Sequence, residues 1–342
     1  MKQILVTGGA GYIGSHTILK LLEHNIEIIV IDNFSNSSKI CLERVSALTK
    51  KKFDFFNLDI RDKENMANIF KKYEIDSVIH FAGLKSVAES IQNPDLYYQN
   101  NIFGTNCLLD VMTDHGVEKI IFSSSATVYG KEADIPYKEN MKCGTPSSPY
   151  GQTKIEIEKL IEERHSQNNN FKAISLRYFN PIGAHPSGKI GEDPYDLPNN
   201  LLPFLSQVAV GRLKKLTVFG NDYPTKDGTC RRDFIHIMDL AGGHLAALKY
   251  LNSEKFKGTE IFNLGTGSAK SVLEIINEFI RVTGIKIPYE FSNRRDGDLP
   301  EFWADCSKAN KILDWQCKYD LTQMIEDTWR WQSSNPKGYG QI

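Results

Sequence analysis

The stretch VTGGAGYIGS, residues 6–15, constrains the fold more than any other part of the chain. It follows the apolar run ILVT and opens an amphipathic segment over 12–24, so Gly8, Gly11 and Gly14 sit in a strand–turn–helix setting. Glycines there let backbone approach a pyrophosphate, and the helix that follows presents its N-terminal N–H groups to the anion. Asp32 closes the next apolar run, EIIVID, 18 residues after Gly14. A carboxylate at that point can accept hydrogen bonds from both ribose hydroxyls of an adenosine, and it repels a 2′-phosphate. NAD is therefore predicted over NADP. Taken alone, the glycines also fit a tight turn and Asp32 a loop acid; their joint context favours the dinucleotide.

Short apolar runs alternate with amphipathic segments through the first half: ILVTG, 12–24, EIIVID, FDFFNLDI, 62–72, SVIHFAG, 94–115, KIIFSSS, 150–167 and KAISLRYFN. That rhythm predicts an α/β fold, a Rossmann-type doubly wound parallel sheet covered by helices on both faces. Ligands are then expected at the carboxyl ends of the strands. After Asn180, a run rich in Pro, Gly, Asn and Asp marks a boundary, giving a nucleotide-binding domain over 1–180 and a smaller α/β substrate domain over 181–342. The segment 233–265 is a candidate to return to the first domain. Helices are predicted near 200–210, 239–251, 271–283 and 320–332, with strands at LTVFG, EIFNLG and IPYEF.

The 342 residues carry 41 basic and 42 acidic side chains, a net charge of −1. This balance gives no general attraction to nucleic acid or an anionic membrane, so an anionic ligand needs a local site. The six cysteines form no C-x-x-C pair and suit a reducing compartment. No leader segment or apolar run near 20 residues is evident, and a cytoplasmic, soluble protein is expected. The eight histidines show no metal-ligand spacing, so no metal is predicted.

SPYGQTK places Tyr150 four residues before Lys154, one helical turn apart on one face. A fixed cation favours a nearby phenolate, so the pair is equipped to take a proton from an alcohol. The spacing alone more often describes a packed ring beside a solvated charge. Its context changes the balance: FSSSATVYG ends the fifth strand, bringing the hydroxyls of Ser123, Ser124 and Ser125 to the same sheet edge. Two other strand ends point there too, LDIRD with Asp59 toward an adenine and FAGLKSV with Gly83 and Lys85 beside the cofactor, although both stretches also fit ordinary turn chemistry and Lys85 equally fits a surface charge.

In this order, the glycine motif, Asp32, SSSATVYG and Tyr-x-x-x-Lys resemble the extended short-chain dehydrogenase/reductase family. LRYFNPIGAHPSG, PNNLLPF, VFGNDYPTKDGT, RDFIHIMDL and RRDGDLPEFWAD extend the likeness along nearly the whole chain, toward the branch of nucleotide-sugar 4-epimerases. The resemblance implies Tyr150 as acid and base, Ser125 bonded to the reacting oxygen, and Lys154 on the nicotinamide ribose. It implies NAD contacts at Gly8, Gly11, Tyr12, Ile13, Gly14, Asp32, Asn33, Phe34, Ser35, Asn36, Ser37, Asp59, Ile60, Phe81, Ala82, Gly83, Leu84, Lys85, Asn100, Ser125, Tyr150, Lys154 and Phe179. For the sugar nucleotide it implies Ser125, Tyr150, Asn180, Asn200, Leu201, Thr217, Val218, Phe219, Arg232, Arg295, Asp298 and Phe302.

The reaction so implied interconverts UDP-glucose and UDP-galactose through a transient 4-keto sugar, with NAD tightly bound and retained through turnover. Nucleotide-sugar dehydratases of related build carry Asp-Glu where this chain has Ala126 and Thr127, and sugar-acid decarboxylases tend to carry glutamate at Thr127. A non-catalytic NAD-binding regulator on the same fold would commonly lack the tyrosine or lysine. The family also implies a homodimer pairing 94–115 with the helix after Tyr150. Phe302 stands where a small residue accompanies acceptance of N-acetylated sugars. The charge pattern over 156–164 is read as a solvated helix face, and His16, His80 and His236 are given no catalytic role.

Overall fold

The computed structural model describes residues 2–131, 133–195, 197–295 and 297–340. Its centre is a seven-stranded sheet. In chain order the strands are β1 (Gln3–Thr7), β2 (Ile28–Asp32), β3 (Asp54–Asn57), β4 (Ile75–His80), β5 (Lys119–Ser125) and β6 (Lys172–Tyr178). The remaining elements begin with β7 (Asn180–Ile182), β8 (Leu216–Phe219) and β9 (Arg231–His236), followed by β10 (Thr259–Leu264), β11 (Ala269–Ser271), β12 (Tyr289–Ser292) and β13 (Glu301–Phe302). The central order is β10-β6-β5-β4-β1-β2-β3 with every pair parallel. Strand order reverses between β1 and β4, so the crevice outside their carboxyl ends is the natural ligand site.

The strands read as continuous apolar runs because both faces are covered. β2 is buried at all five residues, and two clusters flank the sheet, one containing Val6, Val30 and Ile79, the other Leu5, Ile29 and Val78. The alternation of neighbours between the clusters is the pleat itself. On the first face, the helix Ile237–Leu251 packs on the helix Tyr12–Glu23, burying Leu240, Leu245 and Leu248 against Ile18 and Leu22. Each such side chain contributes about 1.5–3 kcal/mol when fully buried. β10 then joins the edge of the central sheet beside β6.

A second body lies past β6. β9 pairs with β7 and β13 in parallel and with β11 antiparallel, while β8 pairs with β12. Asp233 ties this sheet together: its carboxylate accepts from the amides of Thr266 (2.8 Å), Gly267 (3.0 Å) and Ala304 (3.2 Å). The helices Leu201–Ala209, Val272–Thr283 and Leu321–Ser334 close over it around Leu205, Phe279 and Ile325. No helix among the described residues is long and apolar enough to cross a membrane.

Candidate active site

A cleft of about 680 Å³ opens at the carboxyl ends of β1, β2, β4, β5 and β6. Gly8, Gly11 and Gly14 form its floor, and two of them need to be glycine for stated reasons. Gly8 has φ of +68°, and a Cβ there would lie 2.5 Å from the Ala82 amide nitrogen; a Cβ on Gly14 would lie 2.4 Å from the Gly8 carbonyl. No side chain caps the first turn of the helix Tyr12–Glu23, which Gly11 precedes, so its N–H groups face the cleft. Asp32 is held rigidly at the far wall, accepting from Ala10 N (2.9 Å), Phe34 N (2.9 Å) and Ser37 Oγ (2.8 Å).

Tyr12, Ile13, Asn33, Phe34, Ser35, Asn36, Ser37, Ile60, Phe81, Ala82, Gly83, Leu84, Lys85 and Asn100 also line this cleft, together with Tyr150 and Lys154. Asp59 stands beside it, engaged by Arg61 through Nε (2.8 Å), a terminal nitrogen (2.8 Å) and the backbone N (2.9 Å), and by Asn33 Nδ2 (3.0 Å). The Arg61 bonds hold its carboxyl down to about 2. These four donors fill the acceptor sites of a carboxylate, so an adenine amino group must displace one of them. Lys85 pairs with Glu192 at 3.2 Å, and the Tyr12 hydroxyl donates to the Gly183 carbonyl at 2.6 Å.

The reacting end begins with a well-defined helix start. Ser148 Oγ accepts from Gly151 N at 3.2 Å and Pro149 occupies the first helical position, so the helix Pro149–Gln167 places Tyr150 in its first turn. Lys154 is buried one turn on and donates to the Ser123 carbonyl at 2.8 Å. Its nitrogen lies 4.8 Å from the Phe122 ring centroid and 5.7 Å from that of Tyr150. Burial lowers Lys154 to about 8, opposed by the Glu158 charge.

Tyr150 differs from expectation in one respect. Its ring keeps some exposure to the cleft, yet the surrounding protein pushes its phenol above the ordinary value, with a Ser125 hydrogen bond pulling it down. The predicted net lowering is thus absent, because loss of water around the phenolate outweighs the Ser125 hydrogen bond. Ser125 Oγ itself accepts from Thr127 Oγ1 at 3.0 Å. Ser123 Oγ shares a very short contact with the Tyr178 hydroxyl, which also lines the cleft.

Apart from Ser125 and Tyr150, the residues assigned to the sugar nucleotide occupy the second body. Phe302 lies between Tyr137 and Phe179, with ring centroids 4.9 and 5.2 Å away. Arg232 spans to Asp298 (3.1 Å) and the Leu299 carbonyl (2.8 Å), and Arg295 stacks 4.0 Å over Phe219. Thr217 and Val218 run along β8 beside Phe219, Asn180 opens β7, and Leu201 begins a helix directly after Asn200. Asn200 Nδ2 reaches Glu192 at 3.4 Å. Among the described residues no three His, Cys, Asp or Glu side chains gather to hold a metal.

The family model described as GDP-mannose 4,6 dehydratase matches residues 5–328. A UDP-glucose 4-epimerase of Bacillus subtilis is 52% identical over 337 residues, 98% of this chain and 98% of that protein. The enzyme of the same name from Erwinia amylovora is 51% identical over 335 residues, 98% of this chain and 99% of that one. The chain belongs to the UDP-glucose 4-epimerase family. The crystal structure of the family member from Bifidobacterium longum in complex with NAD+ and UDP superposes with a TM-score of 0.95 at 45% identity, covering 98% of this chain and all of that one.

Although the matching family model carries a dehydratase description, Ala126 and Thr127 follow Ser125 here, and the Thr127 hydroxyl serves as a donor to Ser125. Neither side chain can ionise to supply the carboxylic acid that elimination of water needs.

One sequence expectation fails outright. The 156–164 stretch is not wholly solvated, because Glu158 is buried: its carboxylate accepts Ser124 Oγ (2.5 Å), Arg177 Nε (2.9 Å) and an Arg177 terminal nitrogen (2.6 Å). Two signals were present: Tyr150, Lys154 and Glu158 recur every fourth residue, and Arg177 puts a charge in the buried part of the strand KAISLRY. Also unforeseen is the loop from Gly191 to Tyr195, which reaches the cleft. Tyr195 N bonds to Asn36 Oδ1 at 3.3 Å, and Trp331 Nε1 holds the Glu192 carbonyl at 3.1 Å.

Proposed function

We propose that the chain is an NAD-dependent epimerase interconverting UDP-glucose and UDP-galactose through a transient 4-keto sugar, with Tyr150 as acid and base. The observation that carries this reading is the placement of Tyr150 and Lys154 on one helix face at the mouth of the cleft, beside Ser125. The cradle of Gly8 and Gly14, the uncapped helix start and the fixed Asp32 carboxylate fit NAD. When bound, NAD supplies a reversible hydride acceptor.

The chain's own part is proton handling and orientation. Tyr150 takes the proton of the sugar 4-hydroxyl as hydride leaves C4, and returns it once the 4-keto sugar has turned its other face. Ser125 bonds the reacting oxygen, and Lys154 keeps a positive charge beside the phenolate. Arg232 and Arg295 suit the diphosphate, since a guanidinium makes paired charged hydrogen bonds. That anchor holds the ketone while it rotates. A cofactor that must return what it accepted is best retained, in agreement with the many groups that face the cleft.

The protein as purified, given UDP-galactose and no added NAD, should form UDP-glucose; no conversion would overturn the assignment. We place the enzyme in the cytoplasm, in keeping with six unbridged cysteines. We also infer a homodimer through 94–115 and the helix Pro149–Gln167, supported by exposed Leu96, Tyr98 and Phe103 on the first segment. A monomer mass by light scattering at micromolar concentration would refute it.

A further inference from the structure

Glu158 takes no part in the chemistry above, yet it is buried, charged and one helical turn beyond Lys154. Its partners come from two neighbouring strand ends. Ser124 in β5 and Arg177 in β6 are register partners, and both bond to the same carboxylate. On either side of this pair lie the groups the reaction uses: Ser123, whose carbonyl receives Lys154, and Ser125, which bonds Tyr150. We propose that Glu158 is a positioning residue for the epimerisation: through Ser124 and Arg177 it fixes the strand end that holds Lys154 and Ser125, and it sets a carboxylate one turn from Lys154 on the same helix face.

The physical reason is twofold. A bidentate guanidinium and a hydroxyl leave the carboxylate one orientation, so the β5 and β6 ends cannot slide past each other without breaking charged hydrogen bonds in a buried setting. A buried ammonium also loses its proton easily, and Glu158 is the carboxylate that opposes this loss at Lys154. With Tyr150 in its phenol form, the other groups facing Lys154 do not supply negative charge. His80 of β4 is buried neutral, Tyr150 and Tyr178 are phenols pushed up by burial, and Ser123 offers a carbonyl. Around Glu158 itself stand Arg177, the Cys143 thiol pushed up by burial, and Glu162, Glu139, Glu260 and Lys308 across a cavity of about 480 Å³. Arg177 is the one in direct contact.

This inference rests on the roles given to Tyr150 and Lys154, and its test separates the two. Conversion of UDP-galactose by the holoenzyme is followed from pH 6 to 10 for the parent and for Glu158→Gln, Glu158→Asp and Ser124→Ala. In Glu158→Gln the helpful charge goes and that of Arg177 stays, so the alkaline fall in kcat should move toward neutrality by about one pH unit or more, with KM within about twofold. Ser124→Ala leaves both charges and should lower kcat by about tenfold with the alkaline limb unmoved. Glu158→Asp, which retains the charge, should keep the limb in place; should the glutamine variant not fold, the kcat of Ser124→Ala still tests the strand-end role. A limb unmoved in Glu158→Gln, or moved equally in Glu158→Asp, overturns the proposal, as does a Ser124→Ala enzyme with parental kcat. A fully active Lys154→Met would instead overturn the assignment of Lys154 itself.

Discussion

Replacing Lys154 by methionine keeps the side-chain stem and removes its charge together with its hydrogen bond to the Ser123 carbonyl. The ammonium lies 5.7 Å from the Tyr150 ring centroid. With an effective dielectric of about 20, unit charges at that separation attract by about 3 kcal/mol. This interaction exists only when the phenol is ionised, so losing it lowers the phenolate population by about a hundredfold. The remaining phenolate is more basic, which returns part of the loss, leaving kcat about 10- to 100-fold lower near neutral pH. Burial already holds the Tyr150 phenol high, and the Ser125 hydrogen bond is the lowering contact left once the ammonium is gone. Two assays read the effect: UDP-galactose conversion without added cofactor, and the ultraviolet titration of tyrosinate, which should move to higher pH. A variant within about threefold of the parental rate, with its tyrosinate titration unmoved, would refute the electrostatic coupling.

Three further outcomes follow from particular side chains. Burial lowers His16 and His80 to about 3 and His244 to about 4. Below pH 6.5 the unfolded chain therefore binds protons the folded one refuses, and stability falls with falling pH by up to about 4 kcal/mol per unit for the three together. Urea unfolding at stepped pH should show this slope between 6 and 4, and a flat profile would contradict it. The parent should strongly prefer UDP-glucose and UDP-galactose over UDP-N-acetylglucosamine, because the Phe302 ring is braced by Tyr137 and Phe179. Phe302→Ala should raise turnover of the acetylated sugar by about tenfold, and comparable parental turnover of both would exclude steric selection. Gly14→Ala brings a Cβ to 2.4 Å from the Gly8 carbonyl, so the purified variant should carry about tenfold less NAD by absorbance and mass; unchanged content would remove the close-packing argument.

The central sheet was legible because burial on both faces leaves each strand as an apolar run between loops, and the cofactor cradle because glycine and aspartate act through local spacing. Other elements carried no comparable signal. β9 opens with Arg231 and Arg232 and holds a buried acid, Asp233, so its sequence resembles a loop; it is a strand because β7, β11 and β13, distant in sequence, pair with it. The helix Lys39–Thr49 was missed because KICLERVSALT mixes β-branched, polar and apolar residues with only Cys41, Leu42 and Val45 buried. Its start is set by Ser38, whose hydroxyl accepts from Ile40 N at 3.3 Å. The bridging loop from Gly191 also escaped, since its contacts to Lys85, Asn36 and Trp331 join residues more than a hundred positions apart.

Glu158 shows why a charge is harder to place from sequence than an apolar side chain. Periodicity says which face of the helix a residue occupies, and by that measure Tyr150, Lys154 and Glu158 already stood in line. Whether a carboxylate on that face meets water or a partner depends on a second element, here Arg177, 19 residues later in β6. Without that partner, burying the glutamate is strongly unfavourable, so a solvated face was the sounder inference from the helix alone. Once β6 is packed against the helix, the same reasoning reverses. A buried carboxylate bonded to a guanidinium and a hydroxyl can turn only by breaking both, and it shares its helix face with a lysine whose charge depends on a negative neighbour. The pair is thus tied at once to the alignment of two strand ends and to the protonation of the reacting site, which is why perturbing Glu158 should appear in the pH profile rather than in stability alone.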